Sequence, residues 1–217
     1  MDPQAAVEAI YCLEPPALER FLQRRRANPQ FTLELNLAEN LVEVLRKANE
    51  FVPSAAGSIL LDDPRSKRQN RPANRLTFIA AFGEKSEGLV GREIRADRGI
   101  AGHVYTTGCA YATGDAARDS HFYGVFDREI EYTTRTLVAI PIRIEQEVCG
   151  VLELINRQDR PGYDEQDLNL LEIFADYISI SIQNVLDGRQ AQEIAKRDNL
   201  TGLYNDRYLH IALTQAV

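Results

Sequence analysis

The chain has 217 residues, with 25 Lys and Arg against 32 Asp and Glu and a net charge of −7, the ordinary mixture for one substantial globular domain with extensions, or for two small ones. An acidic chain lacks the concentrated basic surface that nucleic acid or anionic lipid requires, and Arg24-Arg25-Arg26 is too short to supply one. No stretch approaches the roughly 20 apolar residues of a membrane helix, and Met1-Asp2-Pro3-Gln4 lacks the basic start of a signal peptide, so the expected compartment is cytoplasmic with no membrane partner.

Along the chain, Ala5 to Leu13 is predicted to form a short helix, and a second helix starts at Pro15-Pro16 and ends at Asn28-Pro29. Residues 33–51 place Leu37, Leu41, Val44, Leu45 and Ala48 at three-and-four spacing, an amphipathic helix that must pack on something. The period then changes. Residues 56–61, 76–82, 92–96, 110–113, 136–144 and 148–155 read as strands, the polar run 65–74 as a loop, and the last two strands as a hairpin around Glu145-Gln146-Glu147. Ile100 to Thr107 reads as a short helix closed by Gly108. After Pro161-Gly162, Asp164 is the expected N-cap of a long helix carrying Leu168, Leu171, Phe174, Ile178, Ile182 and Val185 on one stripe. The continuation through residues 186–197 is more polar: a frayed linker, or a helix supported by a partner chain.

Runs of strands between helices predict an α+β domain: an antiparallel sheet with terminal helices on one face and, on the other, the irregular segment 83–135 enclosing a ligand pocket. Cys12, Cys109 and Cys149 are odd in number and have no CxxC spacing, and His103, His121 and His210 form no ligand motif, so neither a disulfide framework nor a metal site is expected.

The run Ala112-Thr113-Gly114-Asp115-Ala116-Ala117-Arg118-Asp119-Ser120-His121-Phe122, with Asp127 and the stretch Tyr132 to Ile142, resembles the central part of a GAF domain. Val148 to Arg157 resembles that family's last strand. The resemblance implies a six-stranded antiparallel sheet and a small-molecule sensor or dimerisation module, and it divides the chain into a helical arm (1–30), the sensor (31–187), a helical linker (188–197) and a C-terminal remainder (198–217).

Members that bind cyclic nucleotides carry Asn-Lys…Phe-x-x-x-Asp-Glu. Here Asn156-Arg157, Tyr163 and Asp167 match or conservatively replace that pattern while its final Glu is missing, which leaves Arg157 and Asp167 as a structural ion pair closing the strand-to-helix corner. The ligand-contact candidates are Asp115 and Ala116, opening a short helix able to receive an anion, Phe122 and Phe126, able to cover a ring, and Thr134, Arg135 and Thr136. Each also has a bland reading, as strand alternation, solvated charge or core. The ligand alternatives are a cyclic nucleotide, another small molecule, or none. Bilin attachment lacks its Cys-His pair, since Ala110 follows Cys109. Haem would need His103 or His121 as axial ligand, and a reductase activity of the kind some members carry would need reactive cysteines gathered at the pocket.

Arg197-Asp198-Asn199-Leu200-Thr201-Gly202-Leu203-Tyr204-Asn205-Asp206-Arg207-Tyr208 resembles the opening of a GGDEF domain, the fold of diguanylate cyclases, with Asp206 where that family has Arg. The residues from Leu209 to Val217 are too few for such a domain. The chain as it stands is therefore expected to be no enzyme, and the resemblance implies a bacterial cyclic di-GMP signalling protein in which a homodimer, formed through the terminal helices, controls a cyclase output. The alternative is a ligand-free structural dimerisation module.

Overall fold

The computed structural model describes residues 9–23, 37–63 and 73–195. One antiparallel sheet holds β1 (Tyr11–Cys12), β2 (Ser54–Asp62), β3 (Arg75–Phe82), β4 (Glu93–Arg95), β5 (Tyr111–Thr113), β6 (Leu137–Ile144) and β7 (Glu147–Arg157). The order is β1-β3-β2-β7-β6-β5, with β4 paired to the other end of β3. The central strands β2 and β7 are apolar almost throughout because both faces are covered, the condition under which strict alternation is lost.

On one face pack α1 (Pro15–Gln23), α2 (Leu37–Phe51) and α5 (Glu165–Ala195). The predicted stripes carry this contact: Leu41, Leu45 and Ala48 of α2 meet Leu171, Ile178 and Ile182 of α5 over Ile59, Ile79, Ile140 and Leu152. Asp164 and Asp167 cap α5 reciprocally, the Asp167 N–H donating to Asp164 Oδ1 at 3.0 Å and the Asp164 N–H to Asp167 Oδ2 at 3.1 Å.

The opposite face is covered by α3 (Gly99–Thr107), α4 (Val125–Ile130) and the loops around them. Gly102 lets α3 settle onto the end of β4, since a Cβ there would lie 2.8 Å from the Ala96 carbonyl oxygen. Gly108 closes α3 with φ of 72°.

Two expectations change. The sheet has seven strands rather than six, and the helix predicted over residues 5–13 is absent from its described part, where Tyr11 and Cys12 pair with Ala81 and Ala80 and the Leu13 N–H bonds the Ile79 carbonyl. The open edge of β3 offers those residues a ladder, and their apolar pattern suits a strand as well as a helix. The loop at 64–72 and the GGDEF-like segment from Asp198 onward lie outside the described residues.

Candidate functional site

Between the sheet and α3 and α4 lies a cavity of about 500 Å³, within the range of small-molecule sites. Its floor is Ser58 of β2, Phe78 of β3, Leu137 of β6 and Glu153 and Ile155 of β7; Ile94 and the first turn of α3 form one wall, and Phe122, Tyr123, Ile130 and Tyr132 the roof. Arg92 reaches Glu129 across the mouth at 2.9 Å, tying the β3–β4 connection to α4. The Arg98 guanidinium lies over the Tyr123 ring, 5.3 Å from its centroid.

The roof is held by two side chains. Asp127 accepts the Thr134 N–H at 2.7 Å and the Thr134 hydroxyl at 3.0 Å. Asn156 sits at φ of 58°, accepts the N–H groups of Arg135 (2.7 Å) and Thr136 (3.3 Å), and donates to the Thr133 carbonyl (2.8 Å) and the Tyr132 hydroxyl (3.2 Å). A residue in the left-handed region at the end of β7 thus fixes the strand-entry segment 132–136 beside the cavity.

The electrostatic singularity is Glu153. It is 7% exposed on a floor whose other side chains are apolar apart from Ser58, whose hydroxyl is 3.4 Å from Oε2. Burial pushes its carboxyl up to about 7, the Ser58 bond opposing that rise.

Of the sequence-predicted contacts, Phe122 and Thr134 line the cavity, though the Thr134 hydroxyl is already engaged by Asp127. Phe126 belongs to α4, and its side chain lies outside the described residues. The other four are not brought there. Asp115 precedes a three-residue 3-10 turn (Ala116–Arg118), and the Ala116 N–H is taken by the Arg135 carbonyl at 2.8 Å, so no open helix terminus exists there to receive an anion. The Arg135 side chain is exposed away from the cavity, and the Thr136 hydroxyl accepts the Arg157 N–H at 3.0 Å.

Arg157 and Asp167 lie at the β7–α5 corner, their side chains 3% and 4% exposed, with Nη2 3.5 Å from Oδ1. Arg160 approaches Asp167 at 2.6 Å and Asp159 approaches Arg157 at 2.6 Å, two more exposed side chains flanking the buried pair in a network that does not line the cavity.

Beside the main cavity is a polar groove of about 340 Å³ containing His103 and His121, whose rings stack 3.8 Å apart with Tyr111 edge-on. Burial and the neighbouring His121 hold His103 below the usual imidazole range. Stacked rings cannot both direct a nitrogen at one metal, and no group of three or more metal-ligating side chains occurs among the described residues. Cys12, Cys109 and Cys149 are not joined in disulfides with one another and line neither cavity. No helix among the described residues is long and apolar enough to cross a membrane.

Sequence reasoning missed Glu153, Tyr132 and Arg92. The available signal for the first was a single acid inside the otherwise apolar run Val151-Leu152-Glu153-Leu154-Ile155.

An antiparallel sheet with helices on one face and a roofed cavity on the other is an α+β architecture shared with known proteins. The GAF domain family model matches residues 34–183, and the chain belongs to that family of sensory and regulatory domains. It is similar to probable 3′,5′-cyclic phosphodiesterase pde-5 of Caenorhabditis elegans, 30% identical over 152 residues, covering 66% of this chain and 20% of that protein. The alpha' subunit of the mouse (Mus musculus) cone cGMP-specific 3′,5′-cyclic phosphodiesterase is 28% identical over 115 residues, covering 51% of this chain and 13% of that one. The chain thus spans a fifth or less of these relatives' length. Among solved structures, free methionine-R-sulfoxide reductase from Neisseria meningitidis superposes with a TM-score of 0.56 at 18% identity, over 81% of this chain and 88% of that one. The GAF-B domain of DevS from Mycobacterium smegmatis gives 0.54 at 13%, over 72% and 99%. These likenesses establish the shared fold.

Proposed function

We propose that this domain is a small-molecule sensor whose cavity takes a cyclic nucleotide or related metabolite and whose state is passed along α5 to an output beyond the sensor. The observation that carries the reading is the cavity: a buried carboxylate, aromatic walls and a roof tied by the Arg92–Glu129 pair form a site for a polar ring. The names of the phosphodiesterase relatives favour a cyclic nucleotide.

The output is a GGDEF diguanylate cyclase in a bacterial signalling protein, a reading supported by the motif from Arg197 to Tyr208. Two chains act together. Along α5, Ile173, Tyr177 and Ile180 are exposed at four- and three-residue spacing, a second apolar stripe beside the one spent on the sheet. Pairing of these stripes would let ligand-dependent packing at the β7–α5 corner alter the orientation of two output domains.

Thermal shift with cyclic GMP, cyclic AMP and a metabolite panel tests the reading, because a ligand that binds only the folded state raises the midpoint by mass action. A saturable rise with at least one compound is expected. No rise with any compound would favour the structural dimerisation module.

A further inference from the structure

The groove beside the cavity holds a side-chain pair that the sensor reading leaves without a task. His103, in the middle of α3, and His121, in the connection between β5 and α4, stack with ring centroids 3.8 Å apart and planes 24° from parallel. Tyr111 of β5 meets both rings edge-on, at 5.2 and 5.5 Å, and donates its hydroxyl to Asp119 at 2.8 Å. Asp119 also accepts the His121 N–H at 2.8 Å. The stack therefore joins two parts of the cavity wall: α3, whose first turn lines it, and the segment 119–123, which carries Phe122 and Tyr123 of the roof.

We propose that the His103–His121 stack is a proton-operated latch between α3 and the cavity roof, closed while at most one ring is charged and opened when both are, so that acidification loosens the segment bearing Phe122 and Tyr123. Imidazole is the side chain whose charge changes between about pH 5 and 8. A neutral ring stacks on a neutral or a charged one, whereas two imidazolium rings at 3.8 Å repel each other. The groups facing the pair offset one proton and not two. Asp119 supplies one negative charge from beside His121. Asp97, across the groove, is engaged by Arg95 at 2.6 Å and by Arg98 at 3.8 Å, Arg98 adds a positive charge of its own, and the phenols of Tyr111 and Tyr123 complete the surroundings. Burial, and after it the neighbouring His121, holds His103 below the usual imidazole range, with Asp119 opposing both. The closed stack thus resists a proton that the opened segment accepts, and its stability is lost as pH falls below the ordinary imidazole value. The latch acts on the roof whether or not a ligand fills the cavity, and so stands apart from the sensor reading.

Amide hydrogen exchange of the intact chain without ligand, followed from about pH 8 to about pH 4.5 and corrected for the intrinsic pH dependence of the amides, tests the latch together with histidine-ring NMR over the same range. Protection of residues 119–123 and of α3 is expected to fall roughly 10-fold on acidification, the scale of a like-charge contact in a half-exposed groove, while β2 and β7 keep theirs. His121→Phe retains a stacked ring without its charge at an exposed position. It is expected to abolish the fall and to raise the titration midpoint of His103, a change that a merely structural ring would not produce. His103→Phe is the second arm and should abolish the fall likewise. Equal protection of 119–123 across the range in the parent overturns the latch by itself, with no variant needed. An unchanged His103 midpoint in His121→Phe, or a fall that persists in both phenylalanine variants, overturns it as well.

Discussion

The Ser58 hydroxyl meets the Glu153 carboxylate at 3.4 Å, at the centre of a sheet whose surrounding side chains on that face are apolar. So long a bond supports a buried charge weakly, and the carboxyl is pushed up from 4.5 to about 7. Between those two pH values the folded state holds a proton that the unfolded chain has released. Stability therefore falls as pH rises through this window, by a total of about 3 kcal/mol. Glu153→Gln removes that slope. Urea unfolding at pH 5 and pH 8 is expected to show the variant gaining stability relative to the parent at the higher pH, whereas parallel pH profiles would rule out a raised carboxyl.

Asp167 holds the buried guanidinium of Arg157 and caps α5 through the Asp164 N–H. Asp167→Asn leaves Arg157 with the exposed Asp159 as its remaining acidic partner and is expected to cost about 3 kcal/mol. Ligand affinity at the cavity should change less than about threefold once the protein is folded, since neither side chain lines it. A selective loss of affinity without loss of stability would make the pair a ligand contact instead of a clamp.

Asn156 satisfies four polar groups of residues 132–136 from a left-handed backbone position. Asn156→Ala is expected to lose about 2–3 kcal/mol, from unmet buried N–H groups and a side chain less tolerant of φ of 58°. It should also weaken ligand binding, because Tyr132 and Thr134 are cavity walls. An unchanged thermal midpoint would contradict the role assigned to this amide.

The exposed stripe on α5 predicts self-association. Light scattering across a dilution series is expected to give twice the chain mass, and the double variant Tyr177→Glu with Ile180→Glu to give a monomer with an intact circular dichroism spectrum, because both side chains are more than half exposed. A strict monomer at high concentration would remove the transmission route along α5.

What the sequence disclosed was what is local. The stripe of α5, its Asp164 cap and the Gly108 terminus depend on residues within a turn of each other, and they lie where the spacing places them. The misplaced features depend on distant chain. Tyr11 and Cys12 become a strand because β3, about 70 residues away, leaves an edge open. The Ala116 N–H looks available until the Arg135 carbonyl arrives across the fold. Glu153 was concealed by its setting, since a single acid in an apolar run suggests ordinary alternation until both faces of β7 prove to be covered.

The central claim is that ligand enters the cavity above Glu153, and amide chemical-shift mapping during titration with cyclic GMP tests it most directly. The account predicts saturable shifts concentrated at Gly57, Ser58, Gly99 to Ala101, Tyr132, Thr134 and Glu153, with smaller changes along the outer face of α5. No shifts at saturating nucleotide, or shifts confined to residues remote from the cavity, would contradict it.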